Sequence, residues 1–171
     1  MNIGELLVNV ITVLLFYFFI SRTFTLRRLH WICRGIGLML LFVLITLLNL
    51  MNIAPTITCV SGLICQILYT MVFAEGSRGA RLLIGGIPAL LAVVSDSVTF
   101  SVLGILFQDT SEALTVNSAI RSQALVIYIL TYCLLIWAVI QFFPQDLKFP
   151  GYFERVIFLT CGLGVFASDI L

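Results

Sequence analysis

The chain has 171 residues, of which 61% are hydrophobic and 10% are charged, with a net charge of +1 and a mean hydropathy of +1.18. Soluble domains average about 45–50% apolar and about 25% charged residues, and a globule of this size cannot hide so much apolar surface from water. The composition therefore excludes a soluble globular protein, a disordered chain and a nucleic-acid-binding protein, and it predicts an integral membrane protein.

Six apolar stretches are each long enough to cross a hydrocarbon core of about 30 Å as a helix. We predict an all-α bundle of six transmembrane helices, which forms a single polytopic membrane domain over residues 1–171. The predicted spans are Gly4–Ser21, Ile32–Leu50, Ala54–Ala74, Leu82–Phe107, Ser122–Phe143 and Phe153–Leu171. The amino terminus lacks a basic start and a small-residue cleavage pattern, so we expect the first segment to be a retained helix rather than a signal peptide.

The basic residues predict the orientation of the bundle. Only Arg121 falls on one side of the predicted spans, and the other eight Lys and Arg residues fall on the opposite side: Arg22, Arg27, Arg28, Arg34, Arg78, Arg81, Lys148 and Arg155. Because cytoplasmic loops carry the excess of Lys and Arg, we expect a multi-pass protein of the plasma membrane with both ends of the chain outside. The longer outer loop, Gln108–Arg121, carries Asp109 and Glu112.

Asp96 is the one acidic residue deep inside a predicted span. An ionised Asp at that depth costs about 2.5–3.5 kcal/mol on insertion scales, so we expect it to be protonated, hydrogen-bonded or facing water. Gly85, Ala89, Ala92 and Thr99 share its helical face, which is typical of a face that packs inside a bundle. Two hypotheses stay open: a ligand-sensing or coupling site, or a neutral Asp that caps a neighbouring hydroxyl or lies nearer the interface.

Pro88 lies in the same predicted span as Asp96. Its ring nitrogen has no proton to donate to the carbonyl of Ile84, which predicts a kink in the helix. Such a kink can act as a hinge in a signalling helix, and it can equally be a packing bend.

We interpret the inner loops as segments that set the membrane orientation and anchor the protein to lipid, not as catalytic elements. Arg22, Arg27, Arg28, Arg78 and Arg81 are expected to contact anionic headgroups of membrane lipid at the inner face.

The reactive residue types predict no chemistry. His30 is the only histidine and has no second ligand for a metal ion, and the five cysteines occur without a CxxC pair. We therefore predict no catalytic residue, no metal and no cofactor. Asn49, Asn52, Gln66 and Gln141 could hydrogen-bond between helices or line a ligand path, and the sequence does not separate these roles.

The layout resembles the membrane sensor half of Gram-positive GHKL-type histidine kinases, the class that includes the accessory-gene-regulator peptide receptors. The residues that carry the resemblance are the turn 73–78 (Phe-Ala-Glu-Gly-Ser-Arg), the helix Leu82–Phe107 with its polar centre at Asp96, and the inner loop Lys148–Arg155. The resemblance implies an extracellular signal, often a peptide, that docks at the outer loops, and a homodimeric receptor of a two-component system. The phosphoacceptor helix and ATP-binding domain of that family do not occur in this sequence, so we expect a fragment, a truncated product or a relative without the catalytic half.

A small transporter component is the alternative, of the substrate-binding type found in energy-coupling-factor vitamin importers. Those proteins also have six spans and a similar length, and a midplane acid such as Asp96 suits a substrate or proton site. That resemblance implies both termini inside, whereas the distribution of basic residues predicts both outside.

Overall fold

The computed structural model describes residues 3–27, 31–50, 55–107 and 118–142, which form five α-helices. The helices are α1 (Ile3–Thr23), α2 (Trp31–Leu50), α3 (Pro55–Phe73), α4 (Arg78–Phe107) and α5 (Ser118–Phe142). Within these ranges the only strand-like pairing is one isolated bridge, so the predicted all-helical class is confirmed. The sixth predicted span, 153–171, lies outside the described residues, as do Arg28, Asp109 and Glu112.

Four of the five helices are long and apolar enough to cross a membrane. These are α1, α2 and nearly the whole of α4 and α5, whereas the apolar stretch of α3, Ile57–Phe73, is shorter. Each of the five helices overlaps a predicted span in position, and the largest differences are at α4 and α5, which begin four residues earlier than predicted.

The early start of α4 has a local cause. The Ser77 hydroxyl oxygen accepts a hydrogen bond from the Ala80 amide at 3.3 Å, which is the capping contact that a serine makes before the first helical turn. Gly76 precedes it with φ at +140°, a backbone conformation that favours glycine. The cap lets the helix begin in polar sequence, before the apolar run that marks the span.

The helices form a closed ring. Each helix packs against the next one along the chain, and α5 returns to pack against α1. The pairing of α3 with α4 is the most extensive, because Gly85 leaves room for the side chain of Thr70: a Cβ atom built on Gly85 would lie 2.8 Å from the Cβ of Thr70. Small residues allow this close approach of two helices.

One end of the ring is closed by aromatic packing. The aromatic rings of Phe16 and Tyr69 meet edge-on, with their centroids 5.4 Å apart, and the ring centroids of Tyr69 and Phe73 are 4.6 Å apart. Phe19 and Ile20 are fully buried beside them. Aromatic pairs at these separations add to the stabilisation that comes from burial, so this half of the bundle is a packed core.

The loops at the same end are joined to each other. Leu26 and Ala74 form an antiparallel bridge, in which the Arg27 amide donates to the Phe73 carbonyl and the Glu75 amide donates to the Thr25 carbonyl, both at 2.9 Å. We call this end, with the segments 24–27 and 74–77, the arginine end, because Arg22, Arg27 and Arg78 are exposed there.

Candidate functional site: a polar cavity between the helices

A cavity of about 560 Å³ lies between the five helices, in the half of the bundle away from the arginine end. Its walls come from the first half of α1 and α5, the last half of α2, the first two thirds of α3 and the middle and end of α4. Because consecutive helices run in opposite directions, all of those segments lie at the same end of the bundle. Its size is within the range of about 300–1,000 Å³ that is usual for small-molecule sites.

Asp96 lies on the wall of this cavity and is exposed to it. The helical face that the sequence assigned to Asp96 continues along the same wall with Ala89, Ala92 and Thr99. Facing an open space this large removes the need for a protein partner, because water or a ligand can solvate the carboxyl group.

The hydroxyl groups around Asp96 bond to their own helix. Ser95 donates to the Leu91 carbonyl at 2.8 Å, and Ser97 donates to the Val93 carbonyl at 3.1 Å. Thr99 donates to the Ser95 carbonyl at 2.7 Å. Serine and threonine in helices commonly make this bond to the residue four positions earlier. These three neighbours on α4 therefore do not use their protons on Asp96.

A hydrogen-bonded set of amide side chains forms another part of the wall. The Asn49 side-chain amide donates to the Asn9 oxygen at 3.0 Å, and the Asn9 amide donates to the Thr46 hydroxyl at 3.4 Å. Asn9 is buried, and both asparagines line the cavity. Within the described chain this set joins α1 to α2 through side chains. Asn49 therefore has both of the roles that the sequence left open: it hydrogen-bonds between helices and it lines the cavity.

Gln66 lies on the deep side of the cavity, toward the aromatic core. It is 3% exposed, and its side-chain oxygen is buried without a hydrogen-bond partner among the described residues. Most buried polar atoms in proteins have a partner. Gln66 therefore lines the cavity, while its side-chain oxygen is covered by protein and lacks a partner among the described residues.

An ion pair stands at the end of the cavity farthest from the core. Arg121, at the start of α5, lines the cavity and pairs with Glu5, in the first turn of α1. The side chains are 50% and 22% exposed, so the pair is a surface contact between the first turns of two helices. The Tyr128 side chain, two turns further along α5, also lines the cavity and interacts with Thr12 of α1.

Pro88 is fully buried within α4, one residue before Ala89, which lines the cavity. The helix continues through it as a single element of 30 residues. Pro88 therefore lies directly beneath the cavity floor, between the cavity and the arginine end.

Arg81 does not have the lipid-facing position expected for it. Only 8% of it is exposed, and its guanidinium donates a 2.6 Å hydrogen bond to the Met71 carbonyl in the last turn of α3. A cation suits that position because the final carbonyls of a helix lack partners within the helix. Arg22 and Arg78 are exposed as expected, and the Arg22 guanidinium also lies 5.5 Å from the centre of the Phe18 ring.

Asn9, Thr12 and Tyr128 line the cavity although the sequence did not single them out, and the sequence left two roles open for Gln66. Tyr128 and Thr12 carry no signal in the sequence, because Tyr and Thr are ordinary in membrane helices and only the packing of α1 against α5 brings them together. The position of Gln66 on the cavity wall depends on the rotation of α3 about its own axis, which the sequence alone does not give.

The described residues contain no group of three or more His, Cys, Asp and Glu side chains that could hold a metal ion. Comparison of the chain with models of known protein families, with curated proteins and with solved structures finds no match. The chemistry of the cavity is therefore the basis for a functional proposal.

Proposed function

We propose that this chain is a membrane-embedded signal-sensing domain that binds an extracellular ligand in the polar cavity between its helices. In this proposal the bundle has six spans, with the amino terminus and the cavity toward the outside and the arginine end toward the cytoplasm. The layout it shares with GHKL-type sensor histidine kinases supports a role in a two-component system, with a peptide as the class of signal.

The single observation that carries this proposal is the unequal packing of the two halves of the bundle. The half with the arginine end has a packed aromatic core around Phe16 and Tyr69, and the other half encloses the cavity. Since basic residues favour the cytoplasmic side, this asymmetry supports a site that is filled from outside.

Signalling also requires that the ligand distinguish two states of the bundle. A ligand that binds both states equally shifts nothing, and a hundredfold response needs a difference of about 2.7 kcal/mol in binding. Burying a few apolar side chains of a peptide supplies that amount. The element best placed to respond is α4, which runs from Asp96 on the cavity wall through Pro88 to the arginine end.

A binding component of a small-molecule transporter is the second candidate, and the form of the cavity favours it. A space of about 560 Å³ with an acidic residue on its wall suits a whole small molecule as well as part of a peptide. Copurification of the chain with a pair of ATPase subunits from native membranes would support this candidate over the sensor.

Two native cysteines allow a direct test. Cys59 lines the cavity and is exposed, whereas Cys33 is exposed in the first turn of α2, toward the arginine end. Two variants each keep one of these residues, with every other cysteine replaced by Ala or Ser. Intact cells are treated with a membrane-impermeant charged thiosulfonate, and labelling is measured before and after permeabilisation.

We expect Cys59 to react in intact cells and Cys33 to react only after permeabilisation. The reverse result would place the cavity on the cytoplasmic side and overturn the proposal. Failure of Cys59 to react in either condition would show that water does not reach the cavity, which would also remove the site.

A further inference from the structure

We propose that the cavity binds a ligand through an organic ammonium group, with Asp96 as its counter-ion. This inference rests on the proposed function, because it names the chemistry of the ligand that the cavity receives.

The charges on the cavity wall favour a cation. Asp96 is the only acidic residue among the described residues that line the cavity, and Arg121 is the only basic one. Arg121 is already paired with Glu5. The other described arginines lie toward the arginine end, beyond the packed core. Asp96 is therefore without a cationic partner in the described part of the chain, and a carboxylate within a membrane-spanning helix is stabilised when a ligand brings one.

The hydrogen-bonding groups lead to the same ligand class. The hydroxyl protons of Ser95, Ser97 and Thr99 are used on carbonyls of α4, so they are not available to Asp96. The Asp96 carboxyl group therefore presents acceptors to the cavity, and an ammonium group, which has only donors to offer, complements acceptors.

The positions of Asp96 and Gln66 on the cavity wall give the ligand a direction. Because Gly85 packs on Thr70 and the two helices run antiparallel, Gln66 lies at the level of Ala89. Asp96 is seven residues further along α4, or about 10 Å at the helical rise of 1.5 Å per residue. When the ammonium group of the ligand lies at Asp96, the space between Asp96 and Gln66 can therefore hold the rest of the ligand.

The size and the aromatic lining favour an organic cation over a bare metal ion. A volume of about 560 Å³ holds far more than one ion, and the described residues provide no cluster of metal ligands. Tyr128 and Phe100 line the same space, and aromatic faces attract alkylammonium groups.

The test uses Cys59 as a reporter, because Cys59 and Asp96 line the same cavity and the contact of Gly85 with Thr70 puts them at the same level of the antiparallel helices α3 and α4. The Cys59-only variant in nanodiscs is treated with three thiosulfonates: one with a trimethylammonium group, one with a sulfonate group and the uncharged methyl compound. The ratio of the ammonium rate to the sulfonate rate is divided by the same ratio for free 2-mercaptoethanol. Because both reagents attack the same thiolate, the ratio cancels changes in thiol reactivity.

We expect this normalised ratio to exceed about 10 at Cys59 and to fall about tenfold in Asp96→Asn, because the substitution removes the one negative charge on the cavity wall that attracts the ammonium reagent. Asp96→Glu should retain the preference. The Cys33-only variant is the matched control, and its ratio should be unchanged by Asp96→Asn because Cys33 lies beyond the range of screened charges. Reaction of Cys59 with the uncharged methyl reagent in Asp96→Asn, at a rate at least as high as in its parent, shows that the fold and the access are intact.

A normalised ratio near 1, or one that does not change in Asp96→Asn, would overturn the ammonium proposal while leaving the cavity and the proposed function in place. If none of the three reagents reaches Cys59, both the proposed function and the ammonium site are wrong.

Discussion

Gly85 and Thr70 hold α4 and α3 in their closest contact. A Cβ atom on Gly85 would lie 2.8 Å from both the Cβ and the Oγ1 of Thr70, and 3.0 Å from its Cγ2. Thr70 is fully buried, and its hydroxyl donates to the Gln66 carbonyl at 2.8 Å, so it has little freedom to move away. The same contact sets the register that places Asp96 beside Cys59 on the cavity wall.

We predict that Gly85→Ala destabilises the protein by about 1–3 kcal/mol, the usual cost of overpacking. The matched control is Gly104→Ala in the same helix, where an added Cβ meets nothing within 4 Å. Alanine should stabilise that position slightly through its higher helix propensity. The measurement is thermal or denaturant unfolding in a mild detergent. Equal effects of the two substitutions would contradict the close packing of α3 on α4.

Arg81 should contribute to stability through its bond to the end of α3. Its guanidinium donates to the Met71 carbonyl at 2.6 Å, and the residue is 8% exposed. A hydrogen bond with a charged donor contributes about 1.5–3 kcal/mol, so we expect Arg81→Leu to lower the free energy of unfolding by that amount.

Arg78→Leu is the control for this prediction, because Arg78 is exposed in the preceding turn and exposed charges contribute about 0–1 kcal/mol. The two variants remove the same charge at the same end of the protein. A loss of stability shared equally by both would indicate an effect of charge on membrane insertion rather than of the bond to Met71.

The helices could be predicted from the sequence because each is a continuous apolar run, and lipid requires such a run to satisfy its own backbone hydrogen bonds. Hydropathy does not predict the first turn of α4, because that turn is polar. The cap at Ser77 extends α4 to Arg78, although Arg78 and Arg81 belong to no apolar segment. The burial of Arg81 could not be predicted either, since it depends on the position of the end of α3.

The candidate site could be predicted only in part. Asp96 is identifiable because an acid within a span is costly and the helical period gives its face. The rest of the cavity depends on the order of the helices around the ring. That order brings Tyr128 to Thr12 and directs Gln66 to the floor, and no local pattern in the sequence encodes it.

Asn9 and Asn49 should show a measurable coupling energy. Their side chains join α1 to α2 by a 3.0 Å hydrogen bond beside the cavity. Interhelical hydrogen bonds in membrane proteins average about 0.6 kcal/mol, with a maximum of about 1.7, so we predict a coupling in this range from the cycle Asn9→Ala, Asn49→Ala and the double variant.

The control cycle for that pair combines Asn49→Ala with Ser97→Ala, because Ser97 bonds to the carbonyl of Val93 on its own helix. Unfolding free energies of all the variants in one detergent give both coupling energies. Additive effects of Asn9→Ala and Asn49→Ala, with no coupling beyond that of the control, would argue against the hydrogen bond.

The pairing of the two loops at the arginine end predicts a disulfide. The hydrogen bonds from Arg27 to Phe73 and from Glu75 to Thr25 flank the bridge between Leu26 and Ala74. Leu26 and Ala74 are therefore a directly opposed, non-hydrogen-bonded pair, in which the Cα atoms lie about 4.5 Å apart. This separation is at the short end of the range that a disulfide spans.

We therefore expect Leu26→Cys with Ala74→Cys, in a background without native cysteines, to oxidise with copper phenanthroline and to resist a maleimide-polyethylene glycol until it is reduced. The control pair, Leu26→Cys with Gly104→Cys, joins the arginine end to the last turn of α4, some 40 Å away at 1.5 Å per residue. It should remain reactive throughout, because its thiols cannot meet within one bundle. Cross-linking of both pairs, or of neither, would contradict the arrangement in which the segments 24–27 and 74–77 share one end of the protein.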